Sequence, residues 1–144
     1  MRLPSSLGLM TRFVIDAPTL LHLVDQRLSV HPDHQLVAPN SIRSEALELL
    51  LSDVRLAARS ESEAMERHEQ MTQIKMRLLG DCVSRRTAWK IAREHDWDRL
   101  RDAEYVAVTR LQADALVTVD PELAAKAANV VPGASIQDLL EADQ

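Results

Sequence analysis

The clearest strand in the sequence is Ala115-Leu116-Val117-Thr118-Val119, which ends at Asp120 and is followed by Pro121. Its unbroken run of apolar and β-branched residues is typical of a strand that is buried on both faces of a sheet. Near the other end of the chain, Phe13-Val14-Ile15 is a second short apolar run, and it also ends in an aspartate, Asp16. Two predicted strands therefore each end directly before an aspartate.

Further strands are predicted at Leu36-Val37-Ala38, which Pro39-Asn40 stops, and at Val130-Val131. Helical patterns separate the strands, and the helix that begins at Asp102 is apolar nearly all round, so we expect it to be central and buried. Strands that alternate with helices predict a parallel sheet with right-handed crossovers. We therefore expect a three-layer α/β/α fold with a central parallel sheet of four to five strands.

Two long helical stretches are predicted in the middle of the chain. The first runs from Ser41 to about Arg59, and the second from Ser60 to Leu79, where Gly80 breaks it. Asp81 is predicted to cap the helix that follows.

The size and composition of the chain restrict its class. Its 144 residues suit one core, and we expect an N-terminal extension without regular structure over residues 1–11 and a single domain over residues 12–144. No apolar run approaches the roughly 20 residues that a membrane span needs. Because Cys82 is the one cysteine, no internal disulfide can form, and we expect a reducing compartment and a cytoplasmic location.

Charge and glycine content exclude other classes. A net charge of -5 argues against a protein that holds nucleic acid by overall charge alone, so any RNA contact must come from local basic residues. With 3 glycines in total, the chain has no glycine-rich dinucleotide-binding motif and no phosphate-binding P-loop.

Four acidic residues are predicted to converge at one edge of the sheet. The carboxyl ends of parallel strands share an edge, so Asp16 and Asp120 emerge together. Asp102 stands in the first turn of the apolar helix that precedes the last of these strands, and Glu45 borders the apolar face of the helix after Pro39. Crowded carboxylates repel one another, and a divalent cation relieves the repulsion. Mg²⁺, with Mn²⁺ as a substitute, prefers such oxygen ligands.

A plainer interpretation is weighed against this one. Asp is a favoured N-cap, and Asp120-Pro121 has the pattern of a cap followed by the first helical residue. Taken alone, each Asp is explained by helix capping as well as by metal binding. A Glu inside a helix, such as Glu45, is more often a solvated surface residue. The set of four favours the metal site.

The motifs of this chain resemble a known family. They are, in chain order, Val14-Ile15-Asp16, Ser44-Glu45-Ala46-Leu47, Asp102-Ala103-Glu104-Tyr105-Val106-Ala107-Val108 and Ala115-Leu116-Val117-Thr118-Val119-Asp120. From about Arg12 to Leu140 the chain resembles a PIN domain, and more narrowly the VapC-like toxins of bacterial type II toxin–antitoxin systems.

The resemblance implies a function and a set of site residues. Asp16, Glu45, Asp102 and Asp120 would be the catalytic, metal-binding acids, and Thr118 would support the last of them. The implied activity is that of a hydrolase, an endoribonuclease that uses Mg²⁺ or Mn²⁺ to cut structured RNA. The implied partners are a second copy of the chain, in a homodimer, and a small antitoxin protein.

The chain departs from the family at one position. The family usually has Ser, Thr or Asn two residues after the first Asp, where this chain has Pro18, and Thr19 stands one position later. This departure keeps an alternative open, namely a PIN-like module that binds RNA or protein without cutting.

Basic residues are candidates for contacts with RNA phosphates. Arg99 and Arg101 flank the predicted metal site. A helical stripe elsewhere carries three more, Arg86, Lys90 and Arg93, for which an ordinary solvated face is the plainer explanation.

Two further classes that use aspartates at strand ends fit poorly. A signalling receiver needs an adjacent acidic pair after the first strand, but Ile15 precedes Asp16 here. A phosphotransferase of the Asp-x-Asp type is excluded because Pro18 occupies the second Asp position.

Overall fold

The computed structural model describes residues 10–140 of the chain. Its strands are β1 Thr11–Ile15, β2 His34–Pro39, β3 Arg77–Leu79, β4 Ala115–Val117 and β5 Gly133–Ala134. They form one parallel sheet in the order β3-β2-β1-β4-β5. Of the expected N-terminal extension, residues 1–9 lie outside the described residues, and Thr11 is already the first residue of β1.

The helices lie between and beside these strands. They are α1 Ala17–Asp25, α2 Ile42–Arg55, α3 Glu61–Thr72, α4 Cys82–His95, α5 Leu100–Gln112, α6 Pro121–Ala127 and α7 Ile136–Leu139. Helices α1, α2 and α3 contact one another, whereas α4 packs on α5, and α5 contacts β1, β2 and β4. The expected three-layer α/β/α fold with a parallel sheet is confirmed.

The centre of the sheet is β1, with β2 on one side and β4 on the other. Val14 lies opposite Val37 of β2, and Ile15 lies opposite Val117 of β4. Both pairings are parallel, so the three strands end at the same edge of the sheet. Asp16 and Thr118, the residues that directly follow β1 and β4, therefore leave the sheet side by side.

Helix α5 is the buried central helix that the sequence predicts. Ala103, Tyr105, Val106, Ala107 and Val108 are each at most 2% exposed. Residues buried all round a helix fit one that is covered on every side, here by α4 and the sheet. This packing fixes the first turn of α5 at the carboxyl edge of the sheet.

The predicted helix over Ser60–Leu79 is wrong after Thr72. Helix α3 ends at Thr72, and Arg77–Leu79 form β3, which pairs with β2. Strand pairing overrides helical periodicity here because the β2 backbone needs hydrogen-bond partners on its outer side. At Gly80, which follows β3, a Cβ atom would lie 2.2 Å from the end of the Asn40 side chain, so a larger residue here would require that side chain to move.

Strand β4 ends at Val117, two residues before the predicted end. The next backbone amides pair with side chains instead of a strand, since Val119 N donates to Thr19 Oγ1 and Asp120 N donates to Thr118 Oγ1, each over 3.0 Å. The chain therefore leaves the sheet shortly before Asp120.

The last strand also differs from its prediction at Val130-Val131. Strand β5 is Gly133–Ala134, opposite Leu116 and Val117 of β4. Val130 and Val131 donate their backbone N–H groups to Ala127 O at the end of α6 instead. Among residues 10–140, no helix has the length and apolar character needed to cross a membrane.

Candidate functional site

A cleft of about 170 Å³ lies at the carboxyl edge of the sheet. All four acids that the sequence singles out line it, and they come from four different places in the fold. The complete lining is Asp16, Ala17, Pro18, Glu45, Glu48, Leu49, Arg99, Arg101, Asp102, Tyr105, Asp120 and Leu123.

Asp16 is the most buried of the four acids, at 3% exposure. It joins β1 to α1 as the N-cap of that helix, and Oδ1 accepts a hydrogen bond from Thr19 N over 3.2 Å. Oδ2 accepts one from Thr118 Oγ1 over 2.7 Å. Burial raises the pKa of Asp16 in spite of these hydrogen bonds, because the ionised form loses its hydration.

Thr19 supplies a hydroxyl that Pro18 cannot. Its Oγ1 donates to Asp16 Oδ1 and accepts the hydrogen bond from Val119 N. Pro18 occupies the first turn of α1, where a missing N–H costs nothing. The departure from the family pattern thus leaves Asp16 with a hydroxyl partner one position later along the helix.

Thr118 connects the two aspartates that follow the strands. Its hydroxyl donates to Asp16 and accepts from the backbone N of Asp120. Asp120 is the N-cap of α6, with Oδ1 accepting from Glu122 N over 3.0 Å. Capping uses one oxygen of Asp120, and the residue still lines the cleft.

Glu45 is a buried acid inside a helix, at 7% exposure. It stands in the first turn of α2, where Oε2 accepts a hydrogen bond from Ser41 Oγ over 2.7 Å and Oε1 lies 3.2 Å from Arg101 Nε. Burial raises the pKa of Glu45 even though the Ser41 hydrogen bond and the Arg101 charge oppose the shift. Glu45 is thus directed inward, and not a solvated helix residue.

Tyr105 is a polar group of the cleft that the sequence did not single out. Its side chain is 2% exposed, and its buried hydroxyl lies near the Glu45 carboxylate without a well-aligned hydrogen bond to any residue from 10 to 140. Burial together with the charges of Glu45 and Asp16 raises its pKa, so the phenol stays protonated. The sequence feature that could have identified Tyr105 is its position three residues after Asp102, which places both residues on the same helix face.

Asp102 is paired with a lysine. Lys126 Nζ, on α6, donates a hydrogen bond to Asp102 Oδ2 over 2.7 Å, and the same ammonium lies 4.9 Å from the centre of the Trp97 ring. The sequence offered little to identify Lys126, because its contact depends on how α6 packs beside α5. Glu104, two residues after Asp102, does not line the cleft.

The five basic residues named from the sequence separate into two groups. Arg99 and Arg101 line the cleft beside Asp102 and Glu45. The other three are exposed along α4 and do not line it, namely Arg86, Lys90 and Arg93. Of these five residues, Arg99 and Arg101 are therefore the two that can contribute positive charge to the cleft.

The four acids share the cleft without forming a compact cluster. Within residues 10–140, no three acidic, histidine or cysteine side chains stand close enough together to hold one metal ion. Two of the four are turned toward cations of the chain, Glu45 toward Arg101 and Asp102 toward Lys126. A common ligand would require these side chains to exchange partners.

Comparison with known proteins identifies the fold alone. No protein-family model matches the chain, and no curated protein matches it. Solved structures that are similar include the crystal structure of PAE2754 from Pyrobaculum aerophilum, with a TM-score of 0.68 and 19% sequence identity over 90% of this chain and 93% of that one. The likeness covers nearly the whole length of both chains, so the architecture is shared as a unit.

Proposed function

We propose that this protein is a metal-dependent endoribonuclease of the PIN-domain type, and the toxin component of a type II toxin–antitoxin pair. The observation that carries the proposal is that Asp16, Glu45, Asp102 and Asp120 all line one cleft beyond the carboxyl ends of the strands. In parallel α/β sheets this is the usual position of a ligand site.

The donor chemistry of the cleft suits a hard divalent cation. Its four acids offer carboxylate oxygens, the ligands that Mg²⁺ and Mn²⁺ take, and no histidine or cysteine lines it. Asp16 and Glu45 are buried acids, and burial raises the pKa of each because the ionised form loses hydration. A cation held by these residues would compensate for that loss.

The residues of the chain have separate tasks in this proposal. Asp16, Glu45, Asp102 and Asp120 would hold the cation, and Thr118 and Thr19 orient Asp16 through both of its oxygens. When bound, the cation supplies charge neutralisation at the phosphate and lowers the pKa of water.

Arg99 and Arg101 of the cleft would position the substrate. Arg99 is exposed and forms no ion pair with any residue from 10 to 140, and the side chain of Arg101 is 51% exposed. Guanidinium groups bind phosphate oxygens through paired N–H donors. RNA would therefore enter with its backbone against these arginines.

The proposed biological setting follows the family resemblance. A homodimer, and restraint by a small antitoxin protein, are part of the proposal. Induction of the chain alone in a bacterial host should arrest growth, and Asp16→Asn should relieve the arrest.

The direct test is cleavage of total bacterial RNA, scored by mapping new 5′ ends. We expect new ends with Mg²⁺ or Mn²⁺, none with EDTA, and recovery when the cation is restored in excess. Asp16→Asn should abolish the signal, whereas Asp33→Asn, which removes an equal charge from a side chain that is 83% exposed before β2, should retain it. Equal cleavage by the two variants, or cleavage in EDTA, would refute the nuclease assignment.

A second candidate is a PIN-like module that binds RNA or protein without cutting. It is favoured by the ion pairs that already occupy Glu45 and Asp102. This candidate predicts no Mg²⁺-stimulated cleavage and RNA binding that survives Asp16→Ala.

A further inference from the structure

Lys126 is a half-buried cation beside the proposed metal ligands. Its Nζ lies 2.7 Å from Asp102 Oδ2, and the two side chains are 22% and 19% exposed. It does not line the cleft itself. Its ammonium therefore reaches Asp102 from α6 without forming part of the cleft lining.

The other ion pair of the cleft is more open. Arg101 is 51% exposed and divides its guanidinium between Glu45 at 3.2 Å and Glu48 at 3.7 Å. Glu45 also keeps the hydrogen bond from Ser41 if the arginine leaves. Asp102 has no such second donor among residues 10–140, so Lys126 is its one charge partner there.

A divalent cation and this ammonium would compete for the same carboxylate. Mg²⁺ binds carboxylate oxygens at about 2.0–2.1 Å, which would bring two positive charges within about 4–5 Å of each other, where they repel strongly in a partly dry site. A lysine that stays in place would therefore weaken cation binding. Relief requires the ammonium to withdraw from Oδ2.

Trp97 provides a position to which the ammonium can withdraw. Lys126 Nζ is already 4.9 Å from the centre of its ring, within the distance over which an ammonium is attracted by an indole face. Loss of the Asp102 contact would thus leave Lys126 with a partner. The free energy needed to displace the Lys126 ammonium from Asp102 is therefore smaller than it would be if Asp102 were its one partner.

We infer that Lys126 is an internal counter-ion that competes with the divalent cation for Asp102, so that cation binding displaces its ammonium. The inference rests on the proposed function in one respect, namely that the cleft takes a divalent cation. In the metal-free protein Lys126 neutralises Asp102 and joins α6 to α5. In the loaded protein its ammonium lies over Trp97.

The test is the affinity of the full-length chain for Mn²⁺, measured by calorimetry without RNA. Lys126→Met should bind Mn²⁺ about tenfold more tightly than the unaltered chain, because a close competing charge is removed. Arg99→Met is the matched control, since it removes one positive charge that lines the cleft and forms no ion pair with residues 10–140. It should tighten binding by less than about threefold, as a screened charge would. Equal or weaker binding by Lys126→Met relative to Arg99→Met would overturn the inference.

A second measurement needs no change at Lys126. The chain has three lysines, Lys75, Lys90 and Lys126, so ¹³C-labelled lysine gives three Cε signals, which Lys75→Arg and Lys90→Arg assign. Addition of diamagnetic Mg²⁺ should shift the Lys126 signal and leave those of the two exposed lysines in place. A stationary Lys126 signal at saturating Mg²⁺ would overturn the inference.

The outcomes separate this inference from the nuclease proposal. Tighter Mn²⁺ binding by Lys126→Met without RNA cleavage by the unaltered chain would refute the nuclease and retain the counter-ion. RNA cleavage with unchanged Mn²⁺ affinity in Lys126→Met would refute the counter-ion alone. Absence of Mn²⁺ binding in every variant would refute both.

Discussion

Thr118 Oγ1 donates a hydrogen bond to Asp16 Oδ2 over 2.7 Å, although the two residues are 102 positions apart in the chain. The contact exists because β1 and β4 are parallel neighbours with Ile15 opposite Val117, so the residues that follow leave the sheet together. The same hydroxyl accepts from Asp120 N. One threonine thus sets the positions of two acids of the cleft.

Thr118→Val should lower RNA cleavage by about 10- to 100-fold, the usual effect of losing a group that orients a metal ligand. The change keeps the shape of the side chain and removes its hydroxyl, so Asp16 Oδ2 loses its donor and Asp120 N loses its acceptor. Unfolding in urea should show a loss of about 1–2 kcal/mol.

Thr109→Val is the matched control for Thr118→Val. Thr109 is 1% exposed and its Oγ1 donates to Tyr105 O within α5, near the end of the helix that lies away from Asp102. We expect a similar or smaller loss of stability and unchanged cleavage by the folded protein. If Thr109→Val lowers cleavage as much as Thr118→Val does, Thr118 affects cleavage through the stability of the fold alone.

Thr19→Val should lower the rate of RNA cleavage, whereas Pro18→Ser should change that rate little. Thr19 Oγ1 already bridges Asp16 and Val119 N, so valine at this position removes the hydroxyl that orients Asp16. Serine in place of Pro18 adds a hydroxyl to an acid that already has its donors, and should change the cleavage rate by less than about twofold. A large gain in Pro18→Ser would show that the shifted threonine is an inadequate substitute.

The fold was predictable from the sequence where strands are apolar and central. Phe13-Val14-Ile15 and Ala115-Leu116-Val117 are buried on both faces, and such runs are distinctive. Strand β3 was not predictable, because Arg77 and Leu78 are exposed and the segment continues a helical pattern. Its strand conformation comes from pairing with β2, a contact that no local pattern encodes.

The acidic residues of the candidate site were predictable from the sequence, but the side chains that contact them were not. Asp16 and Asp120 follow strands, and the order of a parallel sheet brings strand ends together, so pattern alone indicates their proximity. The contacts of Lys126 and Tyr105 depend instead on the rotation of α6 and α5 about their axes. Side-chain partners across two packed helices are set by tertiary packing, which a single sequence does not specify.

Asp25 should stabilise the protein in a pH-dependent manner. Its carboxylate accepts hydrogen bonds from Arg59 at 2.8 and 3.0 Å and from Arg67 at 3.0 Å, and the Arg59 hydrogen bonds in particular hold its pKa below the ordinary value of 3.8. The stabilisation is therefore complete above pH 3.8 and is lost as the pH falls through the lowered pKa. These contacts join the end of α1 to the segment that precedes α3 and to the middle of α3.

Asp25→Asn should therefore lower the free energy of unfolding by about 2 kcal/mol near neutral pH, since two arginines lose their charge partner. The difference from the unaltered chain should shrink as the pH falls below 3.8. Urea unfolding across this range measures it, with Asp33→Asn as the control for an exposed acid. A difference that is constant with pH would contradict the assigned ion pairs.

The most direct test of the account is a double-mutant cycle at Asp16 and Asp120, read as the initial rate of RNA cleavage with Mg²⁺. If the acids act together on one cation, each single Asp→Asn change should lower the cleavage rate by about 10³-fold or more. The double variant should be no worse than about tenfold below the less active single variant, because the effects of residues that act as a unit do not add. Unimpaired cleavage in either single variant, or losses that multiply in the double variant, would contradict a single shared site.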